Sequence, residues 1–168
     1  RITMKLSMIR KWIFIAIVLG AFPLSAAKPS FLADYNTTTL KIHIEDRNIR
    51  VTRIEQKFDN PVSAVPSSQS ATVSTGMISE AQLRSLRRLI LANGFLRLKE
   101  AYGAPAKERF YPYSIEVLVD GRKKKVLYRS NPSFEKQPKP FAEIEKMLTE
   151  LGKEARNPEP PATDSTGK

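Results

Sequence analysis

Apolar and polar residues alternate with a period of two in "TLKIHIEDRNIRVTRIEQKF". Leu40, Ile42 and Ile44 interleave with Lys41, His43 and Glu45. Such alternation is the mark of a half-buried strand. Asp46, Arg47 and Asn48 then supply a turn, and Ile49, Val51 and Ile54 mark the return strand. The alternation slips near Arg53, which calls for a bulge or a shifted register. "DNPVSAVPSSQSA" (59–71) reads as a loop by its Pro and Ser content, and the "TVSTGMI" that follows is read as an edge strand. The period then changes. In "SEAQLRSLRRLILANG", Leu83, Leu86 and Ile90 fall on one helical face that Leu89 widens, while Arg84, Arg87 and Arg88 point largely elsewhere. Ser79 and Gln82 form a capping box, and Asn93-Gly94 ends the helix. Phe95, Leu98 and Tyr102 extend the same spacing for another turn or two.

"YSIEVLVDGRKKKVLYR" is a second hairpin, because Asp-Gly between alternating segments is a strong turn signal. With Asp120-Gly121 as the turn, Val119 faces Arg122, Val117 faces Lys124, Ile115 faces Val126 and Tyr113 faces Tyr128. Paired residues share a side, so these form the core face. Glu116 opposite Lys125, Leu118 opposite Lys123 and Ser114 opposite Leu127 form the wetter face. "FAEIEKMLTELG" closes the pattern as a helix, with Pro140 in its first turn and Gly152 past its end. Its apolar face comprises Phe141, Ile144, Met147, Leu148 and Leu151.

These elements predict an α+β domain over residues 38–152, in β-β-(β)-α-β-β-α order. It would be an antiparallel sheet of four to five strands with both helices on one face. The expected core includes Leu40, Ile42, Ile44, Leu83, Leu86, Ile90, Phe95, Leu98, Tyr102, Ile115, Val117, Val126, Ile144, Leu148 and Leu151. Residues 28–37 are read as an extended leader, and 153–168 as a polar, Pro-containing, disordered tail. Residues 1–27 read as a signal peptide. Lys5, Arg10 and Lys11 precede the apolar "WIFIAIVLGAF", and "PLSAA" offers a cleavage site after Ala27. Export to the periplasm or medium is the corresponding expectation, and an uncleaved N-terminal anchor is the alternative.

Charge and cysteine content refine this picture. The chain carries 28 Lys plus Arg against 17 Asp plus Glu. Residues 1–27 hold four of the cations and no acid, so the remainder stands at 28 − 4 = 24 against 17, or +7. That balance favours anionic surfaces such as acidic proteins or lipid head groups. No cysteine is present, so no disulfide, thiol nucleophile or thiolate ligand is available. His43 is the one histidine, too few for a zinc site and without a recognisable Ser or Asp partner in sequence. Glycine-rich phosphate loops and Gly-x-Ser-x-Gly elbows are missing. Glu143 and Glu145 lie two apart on a helix and do not share a face. These readings point away from an enzyme and from a bound cofactor.

The candidate docking surface is the hairpin end, Arg122, Lys123, Lys124 and Lys125, with Arg129 farther along the strand. A solvated hairpin tip that protects the sheet edge is the simplest account of it. An unknown envelope or extracellular protein, acidic in character, or an anionic lipid is the partner if the tip docks. Nucleic acid is disfavoured, since only Tyr111, Tyr113 and Tyr128 lie near as stacking groups.

"VSTGMISEAQLRSLRRLILANGFLRLKEAY", the "DGRKKKV" strand pair and "FAEIEKMLTEL" together resemble an uncharacterised bacterial secreted domain family. In that family a hairpin precedes a capped helix ending in a Phe-x-x-Leu-x-x-x-Tyr segment, here Phe95, Leu98 and Tyr102. More distantly the chain is similar to the emfourin-type inhibitors of metalloproteases. The resemblance spans roughly residues 38–152 in element order and rests on core and turn positions. "GAPAKERF" stands where the family often has an acidic residue, and no inhibitory segment matches residue by residue. The resemblance implies an exported, non-enzymatic binding module of the cell envelope or medium. The alternative is a small inhibitor of an extracellular protease, acting through the loop at 59–72 or at 103–112.

Overall fold

Ten elements alternate along the chain in a computed structural model that describes residues 30–60 and 66–155. They are β1 (Phe31–Asn36), β2 (Leu40–Glu45), β3 (Asn48–Lys57), β4 (Ser68–Met77), α1 (Glu80–Ala92), a 3-10 turn (Phe95–Arg97), β5 (Ala101–Gly103), β6 (Tyr111–Val119), β7 (Arg122–Ser130) and α2 (Lys139–Glu154). The strands form one seven-stranded sheet in the order β4-β3-β2-β1-β6-β7-β5. All pairs are antiparallel except β5 with β7. The α+β class is as expected, but the sheet is larger than four to five strands and is mixed. The assigned signal segment, residues 1–27, lies outside the described residues.

Several boundaries need correction. The segment taken as a leader contains β1, the middle strand of the sheet. Phe31, Ala33 and Tyr35 are buried on its inner side, while Leu32, Asp34 and Asn36 alternate outward. Its start is held by Asp46 in the β2–β3 turn. That carboxylate accepts from the Ser30 and Phe31 amides at 3.1 and 3.0 Å and from the Ser30 hydroxyl at 2.8 Å. The turn itself is Asp46-Arg47, because Asn48 already pairs with Glu45. There is no bulge at Arg53. β3 pairs one-to-one with β4 from Asn48 to Lys57, so Ile54 simply turns to the outer side, opposite Ala71. β4 begins at Ser68, inside the stretch read as loop.

The Asp120-Gly121 hairpin has the expected register, with Val119 against Arg122 and Tyr113 against Tyr128. Both turn residues have positive φ, 49° and 73°, which is what a two-residue hairpin turn requires. The segment after α1 differs from expectation. Only Phe95–Arg97 is helical, and Tyr102 lies in β5. β5 runs so close to β7 that a Cβ on Gly103 would sit 2.2 Å from the Arg129 carbonyl oxygen, and Gly103 has φ 83°. α2 continues through Gly152 to Glu154, so its last turn takes in residues assigned to the tail. Gly152 is buried there because the helix presses on β2: a Cβ at this position would meet Ile42 Cδ1 at 2.9 Å.

One core unites the inner face of the sheet with both helices. Leu83, Leu86 and Ile90 of α1 and Phe141, Ile144, Leu148 and Leu151 of α2 pack with Phe31, Ile42, Ile44, Ile49, Val51, Ile115, Val117, Val119 and Val126. The expected core positions Leu40, Leu98 and Tyr102 are partly buried at its margin. Phe141 links the far side, with ring centroids 6.4 Å from Phe95 and 6.2 Å from Tyr128. Among the described residues, no helix is long and apolar enough to cross a membrane.

Phe31→Ala should cost about 3 to 5 kcal/mol in denaturant unfolding, as for any fully buried aromatic side chain. A loss under half a kcal/mol would show that the segment before residue 38 is dispensable to the fold. Leu86→Ala should cost about 2 to 5 kcal/mol on the same grounds.

Candidate functional site

The five hairpin cations do not form one patch, because β7 distributes them by strand geometry. Lys123 and Lys125 project from the outer face, Arg122 and Lys124 from the face that carries the helices, and successive side chains alternate in this way. Arg129 is about 23 Å along the strand from Arg122, at roughly 3.3 Å per residue. There it is half-buried, its guanidinium 5.7 Å from the Phe110 ring centroid and donating to the Ala104 carbonyl at 3.5 Å. It therefore closes the base of the hairpin and is not part of the tip.

The two outer lysines are already partnered. Glu116 sits between them, with Lys123 Nζ at 2.7 Å and Lys125 Nζ at 3.3 Å. The hydrogen bond from Lys123 is the main reason the Glu116 carboxyl is held below the usual carboxylate range. Partial burial opposes this, and Lys125 adds to it. The expected Glu116–Lys125 pair is present, and Lys123 is the nearer partner.

Across the outer face, register places Arg50, His43, Asp34, Glu116 and Lys125 in one row over β3, β2, β1, β6 and β7. His43 Nδ1 is 2.7 Å from Asp34 Oδ1, and its Nε2 is 3.8 Å from Glu45. This Asp partner was hidden from sequence reasoning because it sits in β1. The period-two pattern of Phe31, Ala33 and Tyr35 was the signal that could have revealed it. Thr75 borders the same open groove, along with Arg50 and Met77, but no hydroxyl is hydrogen-bonded to either His43 nitrogen among the described residues. Among the described residues the arrangement is therefore an Asp–His pair with no hydroxyl hydrogen-bonded to it. Among the described residues, no group of three or more His, Cys, Asp or Glu side chains is placed to hold a metal ion.

On the helical side the picture is different. Arg84, Arg87, Arg88 and Leu91 recur at three- and four-residue spacing along α1 and, with Ala92, line a shallow apolar-floored groove. Arg87 Nη2 lies 2.5 Å from Asp120 Oδ1, in the turn of the β6–β7 hairpin. That contact brings the arginine stripe against the hairpin tip, where Arg122 and Lys124 project on the same side. Arg84 approaches Glu80 only at 4.0 Å. Arg88, Arg122 and Lys124 have no carboxylate within ion-pair reach among the described residues.

The two helix carboxylates considered from sequence go separate ways, as their spacing requires. Glu143 meets Asn93 and Lys139, at 3.5 and 3.8 Å. Glu145 accepts hydrogen bonds from the buried Tyr35 hydroxyl and from the Gln137 amide. Burial and then Glu145 push the Tyr35 phenol well above its ordinary value, so it remains a donor that ties β1 to α2. The 103–112 loop is anchored at both ends, by Ala104 N–H to the Arg129 carbonyl at 3.0 Å and by the Asn131 side chain to the Arg109 carbonyl at 2.8 Å. Part of the 59–72 loop, residues 61–65, lies outside the described residues.

Compared with known proteins, the chain matches no family model, and no curated protein matches it in sequence.

Because the folded Glu116 carboxyl titrates below its unfolded value, its stabilising contribution is complete above the unfolded value. It is lost as pH falls through the folded one. In an NMR titration of the side-chain carboxyls, Lys123→Ala should raise the Glu116 midpoint, and Lys125→Ala should raise it less. Equal midpoints in all three proteins would mean that neither lysine holds the carboxylate in solution.

Proposed function

We propose that this chain is an exported, non-enzymatic binding module that docks an acidic protein surface on its helical side. The observation that carries this reading is the Arg87–Asp120 contact. It joins the α1 arginines to Arg122 and Lys124 in one cationic corner, in which Arg88, Arg122 and Lys124 have no carboxylate within ion-pair reach among the described residues. A solvated charge run disperses around a surface or is neutralised locally, as Lys123 and Lys125 are by Glu116. Cations gathered beside an exposed Leu91 keep their long-range attraction, which raises association rate and selects acidic partners.

The proposed docking residues therefore shift from the tip as a whole to Arg84, Arg88, Arg122 and Lys124. Export rests on the residue 1–27 pattern, and the similarity to secreted domains and to emfourin-type inhibitors agrees with a role in binding. The anchored ends of the 103–112 loop also suit the inhibitor reading, since a preorganised loop loses less entropy on docking.

The test is affinity capture from an envelope and secretome extract, eluted by a salt gradient. Arg88→Glu with Lys124→Glu should abolish retention of the partner or weaken it at least about tenfold, the steep response expected of a charged docking surface. Lys123→Glu with Lys125→Glu should leave it within about twofold, because those lysines face the other way. Retention that ignores both pairs, or that is lost only with the second, would refute the placement. Stoichiometric inhibition of a metalloprotease by both variants alike would favour the inhibitor reading instead.

A further inference from the structure

The sheet has two edges of opposite construction. β5 is three residues long and runs parallel to its neighbour. β4 is ten residues long, "SQSATVSTGM", with no charged residue and no proline. Its one-to-one pairing with β3 leaves no bulge. Edge strands that stay unpaired carry lysines, prolines, bulges or a cover, because a bare row of N–H and C=O groups is a template for another strand. Among the described residues β4 has none of these devices, and it holds Val73 and Met77 at 56% and 67% exposure.

Two hydrogen bonds fix which backbone groups face the open side. Ile78 N–H donates to the Arg47 carbonyl, and Ile54 N–H to the Thr39 carbonyl, each at 2.8 Å. In an antiparallel ladder, bonding direction alternates residue by residue. The even-numbered residues of β4 therefore bond β3. Gln69, Ala71, Val73, Thr75 and Met77 turn their backbone groups outward, away from the sheet.

We propose that β4 pairs antiparallel with β4 of a second copy of this chain, about a two-fold axis through Val73. Such an axis stands perpendicular to the sheet and keeps both pairs of helices on one side. It requires outward-turned residues to meet outward-turned residues. Centring on Val73 sets Val73 against itself, Ala71 against Thr75 and Gln69 against Met77, so all five find partners. The central row becomes Thr52, Val73, Val73 and Thr52, β-branched throughout. Like charges do not oppose this. Arg50 and Arg53 lie in β3, so their counterparts stand three or more strand spacings away, about 14 Å or more. That exceeds the screening length of about 8 Å at physiological salt.

A second copy also fits better than the chain's own C-terminal stretch. Residues 156–168 contain Pro158, Pro160 and Pro161, which cannot donate to a ladder. Because β5 offers no matching template, pairing through β4 closes at two copies and does not propagate.

The 168 residues include no cysteine, which makes single introduced thiols diagnostic. Val73→Cys should oxidise to a covalent dimer, since facing bonded residues have Cα atoms about 5.5 Å apart, within disulfide range. Ala71→Cys alone should not, whereas Ala71→Cys mixed with Thr75→Cys should give the mixed dimer. In sedimentation over a concentration series, the wild type should associate. Val73→Lys should weaken association at least about tenfold, with thermal unfolding unchanged at dilutions where the wild type is monomeric, because it places two ammonium groups face to face. The proposal is overturned by a wild type that stays monomeric at every concentration. It is also overturned by Val73→Cys that cross-links no better than Ala71→Cys, or by Val73→Lys that associates as tightly as wild type.

Discussion

Strand β1 is the strand whose hydrogen bonds join the two halves of the sheet. β2, β3 and β4 form a meander on one side of it, and β6, β7 and β5 stand on the other. Neither half is broad enough to cover two helices. A hairpin alone is marginal in water, and independent stability needs several strands with a common apolar face. Insertion of Phe31, Ala33 and Tyr35 makes the inner surface continuous from Val51 to Val126, and both helices then have a dry bed. The supports of β1 are correspondingly specific. Asp46 binds the amides at its start, and the Tyr35 hydroxyl reaches Glu145 of α2.

Joining the halves also determines the electrostatics. With β1 in place, Asp34 stands beside both His43 and Glu116. Two carboxylates in neighbouring strands repel, and each is relieved by its own cations or imidazole: His43 for Asp34, Lys123 and Lys125 for Glu116. The hairpin lysines of the outer face are thus neutralised within the sheet. On the helical side Arg87 meets Asp120 and Arg84 approaches Glu80, while Arg88, Arg122 and Lys124 have no carboxylate within ion-pair reach among the described residues. The two sides of one hairpin therefore have different electrostatic fates, although its sequence reads as a single run of cations.

Local pattern carried the elements whose signal is local. The Asp120-Gly121 hairpin was legible to the residue, because an Asp-Gly turn with positive φ at both positions leaves one register. The capping box of α1 was equally plain. β1 was not, since Leu32 on the outer face masks the alternation and six residues give too few repeats to establish a period. β5 was misread because Phe95, Leu98 and Tyr102 fall at helical spacing, while Gly103 answers to a carbonyl in β7 that no local pattern announces. The basic corner depends on a contact between α1 and the hairpin turn, 33 residues apart in sequence. The arginine stripe and the cationic run were each visible, but their adjacency was not.

β4 shows how a missing signal can itself be informative once the fold is known. Its Ser, Thr and Ala residues produce no amphipathic period, so sequence reasoning ended the loop four residues too late. In the sheet, that same neutrality becomes the distinguishing property of the edge. A solvated strand of this length would ordinarily need charge on it to remain single. The chain has cations in abundance and places them in β3, β7 and α1, yet none in β4. Hairpin lysines cannot protect this edge, because β7 lies at the other end of the sheet, behind β5. The basic corner and the β4 edge are therefore separate surfaces, and the proposed docking and self-pairing do not compete for one of them.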